Sequence, residues 1–202
     1  MTTYILVGGY DSKMTDEWSA KMRNTVLEKI NGDKPRILSV PFASLREDWE
    51  WKFRDRRMPA FERLYGKDFQ AKLAYPDTFR EDAKWANVVF LHGGDTTLLA
   101  HYLNKFDNLH ELFADKVVIG SSAGAEYLAA FGYELDWRRA HVGSSRGFVQ
   151  AAILVHYRSD YSENDPRGPI DWIKVEQELR AATDLPVYLL REGEFEVFEE
   201  KS

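Results

Sequence analysis

The sequence contains no cysteine. A chain without cysteine has no disulfide, no thiolate nucleophile and no cysteine metal site, which suits a reducing compartment. No apolar run approaches the roughly 20 residues that a membrane-spanning helix needs. The first run ends at Gly8 and Gly9 and has no basic segment before it, which is typical of a first strand rather than of a signal peptide. We therefore expect a cytoplasmic protein.

The chain also lacks a basic stripe. Its 27 Lys and Arg residues and 33 Asp and Glu residues are mixed along the sequence, with a formal net charge of −6. This pattern attracts neither nucleic acid nor an acidic membrane, so we expect neither as a partner. At 202 residues and 44% hydrophobic content, the chain can bury a sizeable core, and a single domain over residues 1–202 is expected.

Short apolar runs alternate with helical patterns along the chain, and uniformly apolar strands separated by helices indicate a parallel sheet covered on both faces. The predicted fold is therefore α/β, with a doubly wound, mostly parallel sheet and helices on both faces. A turn at Glu192-Gly193 between two late strand-like runs predicts a C-terminal antiparallel β-hairpin. The predicted strands are 4–7, 36–40, 71–75, 87–91, 116–119, 147–156, 185–190 and 194–198. The bounded helices are 15–30, 46–65 and 78–85; further helices are expected after 95 and 122 and from Pro169.

A serine-containing turn follows the predicted strand 116–119. It reads Gly120-Ser121-Ser122-Ala123-Gly124-Ala125 and leads into a helix-forming stretch. Glycines without a Cβ allow a sharp turn, so the Ser122 hydroxyl can stay accessible as a nucleophile. A small-residue loop that only caps a helix is the alternative.

A serine nucleophile needs a base that accepts its proton near neutral pH, which in practice is histidine. His101 and His110 have the neighbours of surface residues. His92 either lines the site or packs beneath the turn at Gly93-Gly94. His156 ends an apolar strand and either projects into the site or is buried in the core, and His141, in a polar loop, is the rival base.

The third member of a triad is an acid, and the residues alone do not choose it. Glu192, Asp136, Asp160 and Glu163 are all possible. No phosphate-binding lysine follows Gly93-Gly94, so that loop is better suited to completing an oxyanion hole than to cradling a phosphate.

Four segments in order resemble the peptidase E family of serine peptidases, the aspartyl dipeptidases and relatives such as cyanophycinase. They are Gly120 to Ala125, Val89 to Thr96, His156-Tyr157 and Leu190 to Gly193, and Pro41-Phe42-Ala43 is similar too.

The resemblance implies a class I glutamine amidotransferase-like fold in which serine replaces cysteine. It implies Ser122 as the nucleophile, His156 as the base and Glu192 as the orienting acid. The N–H groups of Gly94 and Ala123 would form the oxyanion hole. The implied substrate is a small peptide, with no cofactor and no metal, and the assembly is a monomer or a homodimer.

Substrate selection departs from the resemblance. The family places an arginine after the histidine, but simple counting puts Ile170 there. Arg158 or Arg167 would instead bind a substrate carboxylate, and Asp136 is a second acid near the site. Asp95 stands where relatives usually have asparagine, and adds negative charge unless it turns away to cap the helix.

Two other interpretations stay open. A catalytically silent relative would use the pocket for binding only. An esterase of the α/β-hydrolase type shares the serine motif, but its histidine follows the acid near the end of the chain, whereas His156 is the last histidine here.

Overall fold

The structure, a computed structural model, describes residues 1–10, 15–135, 140–160, 163 and 169–200. The strands within these residues are Thr2–Val7 (β1), Arg36–Val40 (β2), Gln70–Leu73 (β3), Val88–Leu91 (β4), Val117–Ser121 (β5), Ala129–Leu135 (β6), Ala140–Ser144 (β7), Val149–Leu154 (β8), Val187–Leu189 (β9) and Phe195–Glu200 (β10). The α-helices are Asp16–Lys29 (α1), Trp49–Lys52 (α2), Met58–Tyr65 (α3), Phe79–Trp85 (α4), Thr96–Leu103 (α5), Leu109–Phe113 (α6), Ala123–Leu128 (α7) and Trp172–Ala182 (α8).

The first sheet has the order β10-β1-β5-β4-β2-β3. Its five strands β1 to β5 pair in parallel, and β10 joins the edge antiparallel to β1. Every residue of β4 and β5 is buried, as expected for a parallel sheet covered on both faces. The predicted α/β class with a mostly parallel sheet is confirmed.

A second sheet of four strands follows, in the order β7-β6-β8-β9. Strand β6 begins at Ala129, directly after α7, so the predicted helix-forming stretch ends earlier than expected. Strands β6 and β7 were not among the predicted strands. Strand β8 pairs in parallel with both β6 and β9.

The predicted C-terminal hairpin is wrong. The turn at Glu192-Gly193 exists, with the Glu194 N–H donating to the Arg191 carbonyl at 3.0 Å. However, β9 before the turn belongs to the second sheet and β10 after it belongs to the first. Each strand pairs with an apolar strand whose edge would otherwise be unpaired, β8 and β1, rather than with the other. The turn is therefore a crossing between two sheets.

The predicted helix 46–65 is interrupted. A 3-10 turn over Arg46–Asp48 leads into α2, and a π-helical turn over Phe53–Arg57 precedes α3. Pro59 explains the change of pitch, because it has no N–H for an ordinary helical bond, and the neighbouring Met58 N–H donates to the Phe53 carbonyl five residues back. Trp49 is buried against Phe42, which follows β2.

Three apolar clusters fill the space between the layers. One lies between α1, α3 and one face of the first sheet, and it includes Met22, Val26 and Ile30. A second fills the space between the opposite face of the first sheet, α4 to α7 and the second sheet. A third joins the far face of the second sheet to α8 through Val175 and Leu179. In the described part of the chain, no helix is long and apolar enough to span a bilayer.

Candidate active site

Ser122 lies at the sharp turn between β5 and α7. Its backbone has φ 52° and ψ −116°, a left-handed conformation that is strained for a residue with a Cβ. Two glycines permit the turn: a Cβ on Gly120 would lie 2.4 Å from the Gly124 carbonyl oxygen, and one on Gly124 would lie 2.5 Å from that of Leu91. The turn leaves the Ser122 side chain partly exposed at the carboxyl end of the first sheet.

His156 reaches Ser122 from the second sheet. It follows β8 and has φ 55°, again in the left-handed region. Its Nε2 lies 2.7 Å from the Ser122 Oγ, a distance suited to proton transfer. His156 is only 9% exposed, so its ring is shielded from competing water.

Glu192 lies on the other side of the same ring. One of its carboxylate oxygens, Oε1, is hydrogen-bonded to His156 Nδ1. The second oxygen, Oε2, is buried and has no hydrogen-bond partner in the described part of the chain. A carboxylate on Nδ1 favours the tautomer in which Nε2 accepts a proton from serine. Asp160 and Glu163, the other described acids considered, are exposed.

The backbone at the carboxyl end of β1 accepts hydrogen bonds from Ser122, from His156 and from the residue after Glu192. Val7 O accepts from the Ser122 N–H at 3.0 Å, Gly8 O from the His156 N–H at 2.8 Å, and Gly9 O from the Gly193 N–H at 2.9 Å. Three successive carbonyl groups therefore fix the backbone on which the three side chains are carried.

Gly9 is a site residue that the sequence did not predict. Its φ is +145°, and a Cβ there would lie 2.3 Å from Glu192 Oε2 and 2.5 Å from His156 Cε1. The absence of a side chain gives the His–Glu pair its space. The available signal was the pair of glycines directly after the first strand.

The two predicted oxyanion donors belong to the segment that follows Ser122 and to the glycine loop that approaches it. Ala123 opens α7, and Gly94 has φ +144° in the loop after β4. Neither N–H donates to an acceptor within the described residues. A Cβ on Gly93 would lie 3.0 Å from the Ser122 Cβ, so this loop approaches the serine closely.

Asp95 turns away from the serine to cap α5. Its Oδ1 accepts from the Leu98 N–H at 2.8 Å, which uses the negative charge at the start of the helix. The next residue, Thr96, donates to the buried carboxylate of Glu126 at 2.7 Å. The negative charge of Asp95 therefore interacts with the N-terminus of α5.

The other histidines have different surroundings. His92 is 1% exposed, packs beneath the turn against Phe90, and places Nε2 2.6 Å from the Ser39 Oγ. Burial lowers the pKa of His92 well below its usual value, and nearby cations add to the effect, so the ring is neutral. His101 and His110 are exposed. His141 pairs through its backbone in β7, and its side chain lies outside the described part.

Of the predicted substrate-binding residues, only Arg158 lies within the described part of the chain. Arg158 is exposed, and its guanidinium carbon lies 5.0 Å from the centroid of the Tyr157 ring. The Tyr157 hydroxyl in turn donates to Glu176 in α8 at 2.8 Å. Arg167 and Asp136 lie outside the described residues. The described residues hold no group of three or more His, Cys, Asp or Glu side chains that could bind a metal ion.

Comparisons with known proteins identify the family and the fold. The model of peptidase family S51 matches residues 4–202. A crystal structure of a peptidase from an acI-B1 Actinobacterium is similar with a TM-score of 0.63 and 17% identity, covering 98% of this chain and 83% of the other. A putative peptidase E protein from Listeria monocytogenes EGD-e gives a TM-score of 0.61 and 15% identity, covering 100% of this chain and 99% of the other. A search of curated proteins finds no significant match.

Proposed function

Because the chain belongs to peptidase family S51, we propose that it is a serine peptidase in which Ser122 is the nucleophile, His156 the general base and Glu192 the acid that orients the imidazole. The observation that carries this proposal is the continuous set of contacts from the Ser122 Oγ through the His156 ring to the Glu192 carboxylate. A serine hydroxyl becomes nucleophilic only with such a base beside it.

The proposed reaction proceeds through an acyl-enzyme. His156 Nε2 takes the hydroxyl proton as the Ser122 Oγ attacks the peptide carbonyl carbon. The N–H groups of Gly94 and Ala123 then donate to the oxygen that becomes negatively charged. The imidazolium gives its proton to the leaving amine, and water, activated by the same base, releases the acid product and restores the serine.

The proposed substrates are short peptides, as for a dipeptidase, and a dipeptide with N-terminal aspartate is the first to test. The family resemblance supports this choice, whereas the exposed position of Arg158 against Tyr157 does not favour that residue as the cation for an aspartate carboxylate. A cation other than Arg158 is therefore the better candidate for selecting the substrate.

A fluorophosphonate probe tests the nucleophile without knowledge of the substrate. We expect the parent chain to label at Ser122, as read by peptide mass spectrometry, and Ser122→Ala to lose both the label and nearly all peptide hydrolysis. Ser121→Ala is the matched control, because Ser121 is the adjacent hydroxyl but is buried, at 3% exposure. It should still label. A folded parent that does not label would instead indicate a catalytically silent relative.

A further inference from the structure

Arg57 has no anionic partner among the described residues. It ends the π-helical turn before α3, its Nε is buried, and that nitrogen meets no hydrogen-bond acceptor in the part of the chain that the structure describes. Across the described residues, no carboxylate lies within ion-pair distance of its guanidinium. Its neighbours are aromatic: the guanidinium carbon lies 5.7 Å from the Tyr10 ring centroid and 5.4 Å from that of Phe90.

The buried surroundings of Arg57 disfavour its positive charge. Burial lowers the pKa of Arg57 from its usual value, although arginine stays protonated at neutral pH. Contacts with the aromatic faces compensate only part of the lost hydration. An incoming anion would gain the fork of guanidinium N–H donors, of which Nε–H has no acceptor among the described residues.

The position of Arg57 relates it to the candidate active site. Tyr10 follows Gly9, which lies against His156 and Glu192. Phe90 lies in β4, whose exit leads to Gly93 beside Ser122. Arg57 therefore contacts residues next to both strand exits that carry the site, and its side chain is still partly exposed.

Three other described cations of the same helical segment are either paired with an acid or exposed. Lys52, in the preceding turn of the same helical segment, has its Nζ 2.9 Å from Asp48 and donates to the Ser44 hydroxyl at 3.0 Å. Arg54 is paired with Asp55. Arg56 is exposed, with its guanidinium carbon 4.9 Å from the Trp51 ring centroid.

We propose that Arg57 binds a carboxylate group of the peptide substrate and so determines the specificity of the site. The Tyr10 hydroxyl is available as a second donor, because burial raises the pKa of Tyr10 and keeps it protonated. This inference rests on the proposed peptidase function for the identity of the ligand. The carboxylate belongs either to an acidic side chain or to the peptide C-terminus, two sources that carry the same chemistry.

Binding to an inactive chain tests the inference separately from catalysis. Three ligands are titrated calorimetrically into Ser122→Ala: aspartyl-alanine amide, which has only a side-chain carboxylate, alanyl-alanine, which has only a terminal one, and alanyl-alanine amide, which has neither. Ser122→Ala with Arg57 intact should bind one of the two carboxylate-containing ligands more tightly than alanyl-alanine amide. Adding Arg57→Gln should weaken that ligand about 10- to 100-fold and leave the amide unchanged.

Matched variants separate charge from structure. Arg56→Gln removes an exposed charge from the same turn and should leave all three affinities unchanged. Arg57→Lys keeps the charge but loses the planar fork, so it should bind the preferred carboxylate with intermediate affinity. It also provides the test if Arg57→Gln does not fold, as judged by circular dichroism.

The outcomes are distinct. Three results would overturn the inference. The first is a similar loss of affinity for all three ligands in the Arg57 variants, and the second is an unchanged affinity for the preferred carboxylate in these variants. The third is the absence of any carboxylate preference in Ser122→Ala with Arg57 intact. Failure of fluorophosphonate labelling in the parent would refute the peptidase proposal alone, because the calorimetric preference for a carboxylate requires no reaction at Ser122.

Discussion

Replacing Gly9 by alanine should disable the candidate site while leaving the fold largely intact. The new Cβ would lie 2.3 Å from Glu192 Oε2, 2.5 Å from His156 Cε1 and 2.7 Å from His156 Nδ1. Ordinary contacts of a Cβ begin at 3.4 Å, so the imidazole, the carboxylate or the backbone must move by about 1 Å. The base cannot move that far and keep its contact with Ser122.

Two effects of different size follow. A side chain at φ +145° adds backbone strain, which lowers the free energy of unfolding by about 1–3 kcal/mol. A displacement of roughly 1 Å in a catalytic group lowers the rate about 100-fold. The loss of reactivity should therefore be much larger than the loss of stability would suggest, since a chain destabilised to this extent still remains mostly folded.

Gly32→Ala is the matched control. Gly32 also has a positive φ, +74°, but a Cβ there meets nothing within 4 Å. Urea unfolding measures stability, and the initial rate of fluorophosphonate labelling at Ser122 measures reactivity. Both variants should lose stability, whereas only Gly9→Ala should label slowly. Equal labelling rates in the two variants would refute the assignment of Gly9 as the residue that makes room for the His–Glu pair.

Two further changes test the site and its surroundings. Glu192→Gln removes the charge beside His156 and should lower peptide turnover about 1,000- to 10,000-fold, because the imidazole loses its preferred tautomer. The control Glu194→Gln, two residues later, should have little effect on turnover. Equal losses of turnover in the two variants would contradict the role of Glu192. His92 is neutral when folded but binds a proton below about pH 6.5 when unfolded, so it makes stability fall by up to about 1.4 kcal/mol per pH unit as the pH drops below 6.5. Urea unfolding at pH 7 and pH 5.5 should show a smaller difference in His92→Gln than in the exposed-site control His101→Gln, and identical differences would argue against a buried neutral His92.

The local features of the sequence predicted much of this molecule. Short, uniformly apolar runs indicated parallel strands, because both faces of such a sheet are buried. The glycines around Ser122 indicated a sharp turn, and the resemblance to peptidase E singled out His156 and Glu192, which the structure brings to Ser122. In each case the signal lay within a few residues.

Features that depend on distant segments were not predictable in this way. The turn at Glu192-Gly193 has the local chemistry of a hairpin, but the pairing of its flanking strands depends on the unpaired edges of β1 and β8. Gly9 matters because of residues more than 140 positions away. Arg57 could not be distinguished from its neighbour Arg56, because the turn of helix that buries one and exposes the other is set by tertiary packing.

The crossing between the two sheets makes reactivity a property of the assembled chain. Ser122 is carried by the first sheet, His156 follows a strand of the second, and Glu192 lies where the chain passes from one to the other. The first sheet formed alone has Ser122 without its base, and the second sheet formed alone has His156 without the serine. Under the proposed function, a newly made or partly unfolded chain is therefore harmless to surrounding peptides until its two sheets have docked.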